Sequence, residues 1–228
     1  MRFLNGDCLC PATGIASLAD ASVDIAIVDP PYGIDYQPTN PRFKSILNDK
    51  TPYTPWLEVL YPKMTEGGRL FIFYRWDVMH AFVAEAKRVG FKPVWDLVWD
   101  KVQHGMGDLR GAPGARHEPF MYFTKGRYRF TGKRPVTILR HNKVYSKKMV
   151  HPHEKPVELY REILNFYATP GEVMVDPFAG SVASIEAGVA YGMECTGWEL
   201  DDEYYAAARD RLDRMFSSPD GRIKTRRA

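Results

Sequence analysis

The chain alternates short apolar runs with amphipathic stretches. Asp24-Ile25-Ala26-Ile27-Val28 reads as a buried strand. Arg69 to Tyr74, Val94 to Trp99, Glu118 to Thr124, Val173 to Asp176 and Glu194 to Glu199 read the same way. Helical patterns lie between them. Tyr53 to Met64 carries apolar residues at Trp56, Leu57, Leu60 and Met64 and stops at Gly67-Gly68, with Pro62 weakening its end. Val78 to Val89, Val157 to Ala168, Ala183 to Tyr191 and Asp202 to Phe216 predict further helices, and Pro11 to Leu18 a short one. Trp56, Trp76, Trp95 and Trp99 are expected in the core, with Cys8 as a small buried residue. Strands alternating with helices predict an α/β fold with a doubly wound, largely parallel sheet. Ligands of such sheets bind beyond the carboxyl ends of the strands. Three features fall there: Asp29 with its prolines, the run Asp176 to Ser181, and Glu199.

With 228 residues, 45% of them hydrophobic, the chain can bury a sizeable core. One domain is expected over 1–216, with a short basic insert at about 125–150 and a polar, basic tail over 217–228. No apolar run is long enough to span a membrane, and the first residues lack the apolar core of a signal peptide. Three cysteines without a CxxC spacing suggest reduced thiols in a cytoplasmic protein.

The net charge of +3 hides an uneven distribution. Lys125, Arg127, Arg129, Lys133, Arg134, Arg140, Lys143, Lys147 and Lys148 lie in one segment with no acid among them. The other 22 basic residues face 28 acidic ones, so the rest of the chain is net −6. Such a segment is a footprint for a polyanion, and its last eight cations are candidate phosphate contacts. Tyr128, Phe130 and Tyr145 are interleaved and could stack on bases. The plainer alternative is a solvated basic face.

"VMVDPFAGSVAS", Val173 to Ser184, reads as strand, tight turn and helix. Gly180 and Ser181 fall in the turn, where a large side chain would block close approach. The helix N-terminus that follows favours negative groups. Eighteen residues beyond Ser181 the next strand ends in Glu199, an acid placed to bind ribose hydroxyls. The pattern describes a nucleoside site. It has no GxGxxG for a dinucleotide and no GK[ST] for a phosphate loop.

Asp29-Pro30-Pro31-Tyr32 suits an amine on a flat ring. The lone pair of an exocyclic nucleobase amine is delocalised, so the nitrogen is a poor nucleophile. Two acceptors beside its N–H bonds would draw it towards tetrahedral geometry. Asp29 offers a carboxylate, and Pro30 a carbonyl that the fixed φ of Pro30 and Pro31 preorganises. Tyr32 offers a face for the base. A base inside a duplex must be flipped out to reach such a pocket, or be single-stranded already.

In order and in content these motifs resemble the β-class amino DNA methyltransferases, which use S-adenosylmethionine and act on adenine N6 or cytosine N4. The family's D-P-P-Y corresponds to Asp29 to Tyr32, its D-P-F-x-G-S-G to Asp176 to Val182, and its H-P-x-x-K-P to His151 to Pro156. Gly6-Asp7-Cys8 and the run Gly197 to Leu212 also match. The resemblance implies that Asp29, Pro30, Pro31 and Tyr32 hold and activate the amine. It implies that Asp176, Phe178, Gly180 and Ser181 form the cofactor motif, with Glu199 on the ribose, Asp7 near the adenosine and Lys155 near the methionine end. No metal is implied. Asp rather than Ser at the first position leans towards adenine N6; cytosine N4 and RNA adenine are rivals. A non-catalytic relative would bind nucleic acid without needing an intact D-P-P-Y. A protein glutamine methyltransferase would place the cofactor motif first. One position departs: the family's second glycine is Val182 here, a β-branched residue ill suited to positive φ.

His151 and His153 lack a second ligand pair for zinc. The glycine-bearing stretch Lys101 to Arg110, with Arg116-His117-Glu118 after it, is expected to lie near the target base as a lid. Arg222, Lys224, Arg226 and Arg227 in the tail solubilise or touch phosphates. Only 26 residues separate Thr124 from His151, little for a recognition domain. A homodimer gripping DNA together, or a very short recognised site, would accommodate this.

Overall fold

The computed structural model describes residues 1–38, 40–105, 110–145 and 147–217. The tail cations Arg222, Lys224, Arg226 and Arg227, and residues 106–109 of the expected lid, lie outside them. Eight strands form one sheet: β1 (Arg2–Asn5), β2 (Val23–Val28), β3 (Met64–Phe73), β4 (Lys92–Asp100), β5 (His117–Thr124), β6 (Ile138–Arg140), β7 (Val173–Asp176) and β8 (Glu194–Glu199). Their order is β1-β8-β7-β2-β3-β5-β4-β6. All neighbours are parallel except at β5, which runs antiparallel to β3 and β4. The sheet is doubly wound and largely parallel, as the alternation of elements implies.

Helices cover both faces, which is why Ile25 to Val28 and Leu70 to Phe73 read as unbroken apolar runs. Ile25, Ile27, Phe71 and Phe73 point into one layer, against α3 (Val157–Tyr167), α4 (Ala183–Tyr191) and α5 (Asp202–Ser217). The alternate residues Ala26, Val28, Leu70 and Ile72 point into the other, against α1 (Trp56–Leu60) and α2 (Met79–Val89). This is the period-two alternation of a strand sandwiched between layers.

Several expectations are corrected. The helix expected over Tyr53 to Met64 is only α1 plus a 3-10 turn at Tyr61–Lys63, where Pro62 supplies no N–H for a continuing helix. Met64 then opens β3, which runs through Gly67 and Gly68 instead of starting after them. Pro11 to Leu18 yields one 3-10 turn, Ile15–Ser17. Trp56 and Trp99 are buried, but Trp76 is 79% and Trp95 63% exposed. Trp95 lies on the stretch of β4 that β6 leaves uncovered, since β6 pairs only with Val98 to Asp100. Tyr128 and Phe130 pack against the core rather than facing solvent. The Arg69 guanidinium lies 4.8 Å over the Tyr128 ring, and Phe130 meets Tyr167 edge-on.

The turn between β7 and α4 shapes the site. Asp176 is buried. Its Oδ1 accepts from the Phe178 N–H at 3.0 Å and its Oδ2 accepts from the Ser184 hydroxyl. Val182 takes φ +59° and ψ +19°, so the turn does require the left-handed region where the sequence departs from glycine. The conformation belongs to the fold. Val182 N–H donates to Ala179 O at 2.7 Å, Glu186 N–H donates to Val182 O at 2.8 Å, and the side chain is fully buried. The left-handed region costs a branched residue about 1–2 kcal/mol. Burying the valine returns a similar amount.

Two outcomes follow from this turn. Val182→Gly should change unfolding free energy by only about 1 kcal/mol, because relief of strain offsets lost burial. It should leave the affinity for S-adenosylhomocysteine within about threefold, by calorimetry. Burial raises the Asp176 carboxyl to about 7 against its two hydrogen bonds. Between the unfolded value near 4 and 7 the native state alone holds that proton, so this stabilisation is present on the acid side and lost as pH rises through 7. Asp176→Asn cannot ionise. It should gain roughly 2 kcal/mol on wild type between pH 5 and pH 8 in urea unfolding.

Candidate active site

Strand register brings the two motifs together. β2 lies between β7 and β3, with Ala26 opposite Val175 and Val28 opposite Ile72. The loops after β2 and β7 therefore leave the sheet side by side. On the far side of β7, Asp176 pairs with Gly197 and Asn5 pairs with Glu199. Asp7, Asp29, Phe178, Gly180 and Glu199 consequently line one cavity.

No Lys or Arg among the described residues lines this cavity, whereas Asp7, Asp29, Asp49, Glu199 and Asp201 do. Burial pushes the His151 imidazole down to about 3 and lowers His153, with the Lys155 charge adding to both. Both are neutral at pH 7. An acidic cavity without cations disfavours phosphate-bearing cofactors and fits a cationic sulfur. Burial also raises Glu199, although its Oε2 accepts from the Gly180 N–H at 3.0 Å and its Oε1 from the Asp201 N–H at 2.9 Å. Its remaining lone pairs can take ribose hydroxyls. Phe178 is braced edge-on by Tyr53 and Trp56. Asp176 and Ser181 are buried beneath the turn and do not line the cavity.

Asp29 lines this cavity and bonds Tyr32 and Lys155, which line a second cleft. Tyr32 and His153 line both. The loop carrying the prolines is pinned by Asp49, which sequence reasoning missed. Its buried carboxylate accepts from the backbone N–H of Gly33 at 2.7 Å and of Tyr36 at 2.9 Å. Gly33 has φ +80°, and a Cβ there would stand 2.4 Å from the Thr51 carbonyl carbon, so only glycine lets the chain turn after Tyr32.

Lys155 is 3% exposed, and its ammonium is committed to Asp29 Oδ2 and, at 2.8 Å, to Glu118 Oε1. The family resemblance implies that it lies near the methionine end of the cofactor; in the structure it lines the second cleft and not the cavity of Phe178 and Glu199. Lys101 binds the other oxygen of Glu118 at 2.8 Å. The Tyr32 hydroxyl donates to Asp29 Oδ1 and lies 3.2 Å from Glu118. Burial works against charge on Lys155, but the two carboxylates override it and raise its pKa. Glu118 is held low for the converse reason: Lys155 and Lys101 outweigh its burial. Burial and the two adjacent acids raise Tyr32 well above a free phenol. The importance of Glu118 had one signal in the sequence, an acid at the head of an apolar strand.

The basic segment divides. Gly67 N–H donates to Lys125 O, and Arg127 O lies beside Gly67 at the amino end of β3. Arg127 and Arg129 therefore sit about 20 Å of strand below the site. The chain then climbs the sheet edge past the exposed Lys133 and Arg134 to β6. Arg140, at the end of β6, lies 3.6 Å from Asp100. Lys143 and the 67%-exposed Tyr145 line the second cleft, with Lys147 and Lys148 exposed beside them. Lys125 donates to Tyr61 O and Met64 O, a structural role. Among the described residues no cluster of His, Cys, Asp and Glu is arranged to hold a metal ion, and no helix is long and apolar enough to cross a membrane.

The comparisons with known proteins agree with this arrangement. A family model described as DNA methylase, covering N6 and N4 enzymes, matches residues 23–210. The methylase YubD of Escherichia coli (strain K12) is 30% identical over 215 residues, 92% of this chain and 89% of that protein. The DNA adenine methyltransferase YhdJ of the same organism is 24% identical over 250 residues, 92% of this chain and 82% of that protein. Among solved structures, the M1.HpyAVI–SAM complex has the same fold, with a TM-score of 0.72, 19% identity, and coverage of 92% of this chain and 98% of that one. The chain belongs to the N6/N4 DNA methylase family.

Proposed function

We propose that this protein transfers a methyl group from S-adenosylmethionine to the N6 amine of adenine in DNA. The observation that carries the reading is Asp29, which lines the acidic cavity and bonds Tyr32 and Lys155 of the second cleft. Glu199 and Asp7 would hold the ribose and adenosine, Phe178 and Gly180 the base and its approach, and Asp176 and Ser181 the turn beneath them. When bound, the cofactor supplies an activated methyl whose bond to sulfur breaks as the amine lone pair takes it. The protein's part is positioning and amine activation. Asp29 and the Pro30 carbonyl accept the two amine N–H groups, Tyr32 gives the base a face, and one amine proton passes to water after transfer. The target base enters flipped from a duplex or from a single strand.

Asp at the first position of the tetrapeptide, and the similarity to YhdJ, favour adenine over cytosine N4. Tyr145 is the remaining exposed ring for stacking beside the cleft. Arg140, Lys143, Lys147 and Lys148 would meet DNA phosphates. A homodimer would let two such faces grip one duplex. Cys8, Cys10 and Cys195 are free, which supports a reducing compartment, the cytoplasm.

Incubation with labelled S-adenosylmethionine and unmethylated genomic DNA, followed by nucleoside mass spectrometry, tests the reaction. N6-methyladenine should form with wild type and disappear with Asp29→Ala; N4-methylcytosine would keep the mechanism and change the base. Salt titration of DNA affinity tests the face. Lys147→Gln/Lys148→Gln should flatten the log–log salt slope by about 2, whereas Arg127→Gln/Arg129→Gln should leave it unchanged.

A further inference from the structure

The cleft holds a second acid that the amine chemistry does not use. Glu118 heads β5 with its side chain 18% exposed, and it shares the Lys155 ammonium with Asp29. Lys101 closes the set on the outer oxygen of Glu118. Two carboxylates and two ammoniums are thus packed around Tyr32, with no net charge.

Asp29 is the group placed to stabilise positive charge as it develops on the amine nitrogen. A lone ammonium in contact with Asp29 would cancel most of that field and would itself repel the nascent cation. A buried ammonium held by one acid alone is also poorly compensated. Glu118 offsets both effects by binding the same ammonium from another side. At ordinary hydrogen-bond lengths the two carboxylates stand roughly 5 Å apart. Each Asp29 oxygen keeps a lone pair for an amine N–H, because a carboxylate oxygen has two acceptor sites.

We propose that Glu118 is a charge-balancing and positioning residue for methyl transfer: it holds Lys155 and offsets its charge, so that Asp29 acts on the target amine with its negative charge intact. This rests on the reading of Asp29 as the amine-binding carboxylate. Glu118 acts through Lys155 and Asp29 without touching the substrate. A purely architectural role has a different signature. Loss of Glu118 would then weaken cofactor binding or folding, and no change at Lys155 would restore the rate.

Single-turnover methylation of DNA decides between them, using wild type, Asp29→Ala, Glu118→Gln and the double variant Glu118→Gln/Lys155→Gln. Calorimetry with S-adenosylhomocysteine runs alongside. Glu118→Gln should be about 100-fold slower at saturation, the effect of one unbalanced charge about 5 Å away at an effective dielectric near 20. Its KM for DNA and its analogue affinity should stay within about threefold. The double variant restores neutrality while its introduced amide can still donate to Asp29, so it should recover about tenfold. An unchanged rate in Glu118→Gln, or a double variant no faster than the single one, overturns the proposal. Product from wild type and none from Asp29→Ala leaves the functional reading standing in that event. No methylated base from wild type overturns both. Should Glu118→Gln fail to fold, Glu118→Asp replaces it: it keeps the charge and should stay within about tenfold of wild type, and a loss as complete as that of Asp29→Ala overturns the proposal.

Discussion

β2 runs parallel between β7 and β3, and the site depends on that placement. The two motifs are almost 150 residues apart in the chain, yet their strands are hydrogen-bonded neighbours. Parallel pairing makes both strands end at the same edge. The carboxylate that follows one and the turn that follows the other must then share a cavity. Reversing either strand, or inserting another between them, would separate Asp29 from the turn after β7 by the width of a strand or the height of the sheet. The dense apolar packing on both faces of β2 fixes this register, because a slip by one residue would exchange its two buried faces.

Electrostatics then divides the space at that edge. The cavity of Phe178 and Glu199 has acids and neutral imidazoles and, among the described residues, no cation on its wall. The neighbouring cleft has Lys101, Lys143 and Lys155. Asp29 lines the first and bonds Tyr32 and Lys155 of the second. Its field towards the cleft is set by the ammonium it shares with Glu118. A buried cation bound by two acids keeps its charge despite desolvation, and Glu118 keeps its own for the converse reason.

The basic segment shows how far a one-dimensional charge pattern can mislead. Its cations share one segment, but that segment starts at the amino end of β3 and climbs the sheet edge. Their two groups finish at opposite ends of the strands. Two of its three aromatic residues serve the core, because Arg69 and Tyr167 meet them there. Only the portion beyond β6 faces the cleft.

Local pattern was enough for the strands β7 and β8, the helix α4 and the largely parallel sheet, since these rest on periodicities and breakers within a few residues. It was enough, too, for Asp29, Phe178, Gly180 and Glu199 as residues at strand ends. Local pattern failed at α1, where one proline and two glycines left helix and strand evenly matched until β2 drew Met64 into the sheet. It failed at Trp95, whose exposure depends on how little of β4 the short strand β6 covers, and at Trp76, which sits in the turn after β3. Asp49 was silent, and Glu118 showed only as the acid at the end of the expected lid, because their meaning lies in partners 16 and 37 residues away, Gly33 and Lys155. The sequence by itself determined the chemistry available at each strand end, because that chemistry is carried by contiguous residues. Only the tertiary structure decided which charges face one another, because pairing strengths depend on distance and burial that no local spacing encodes.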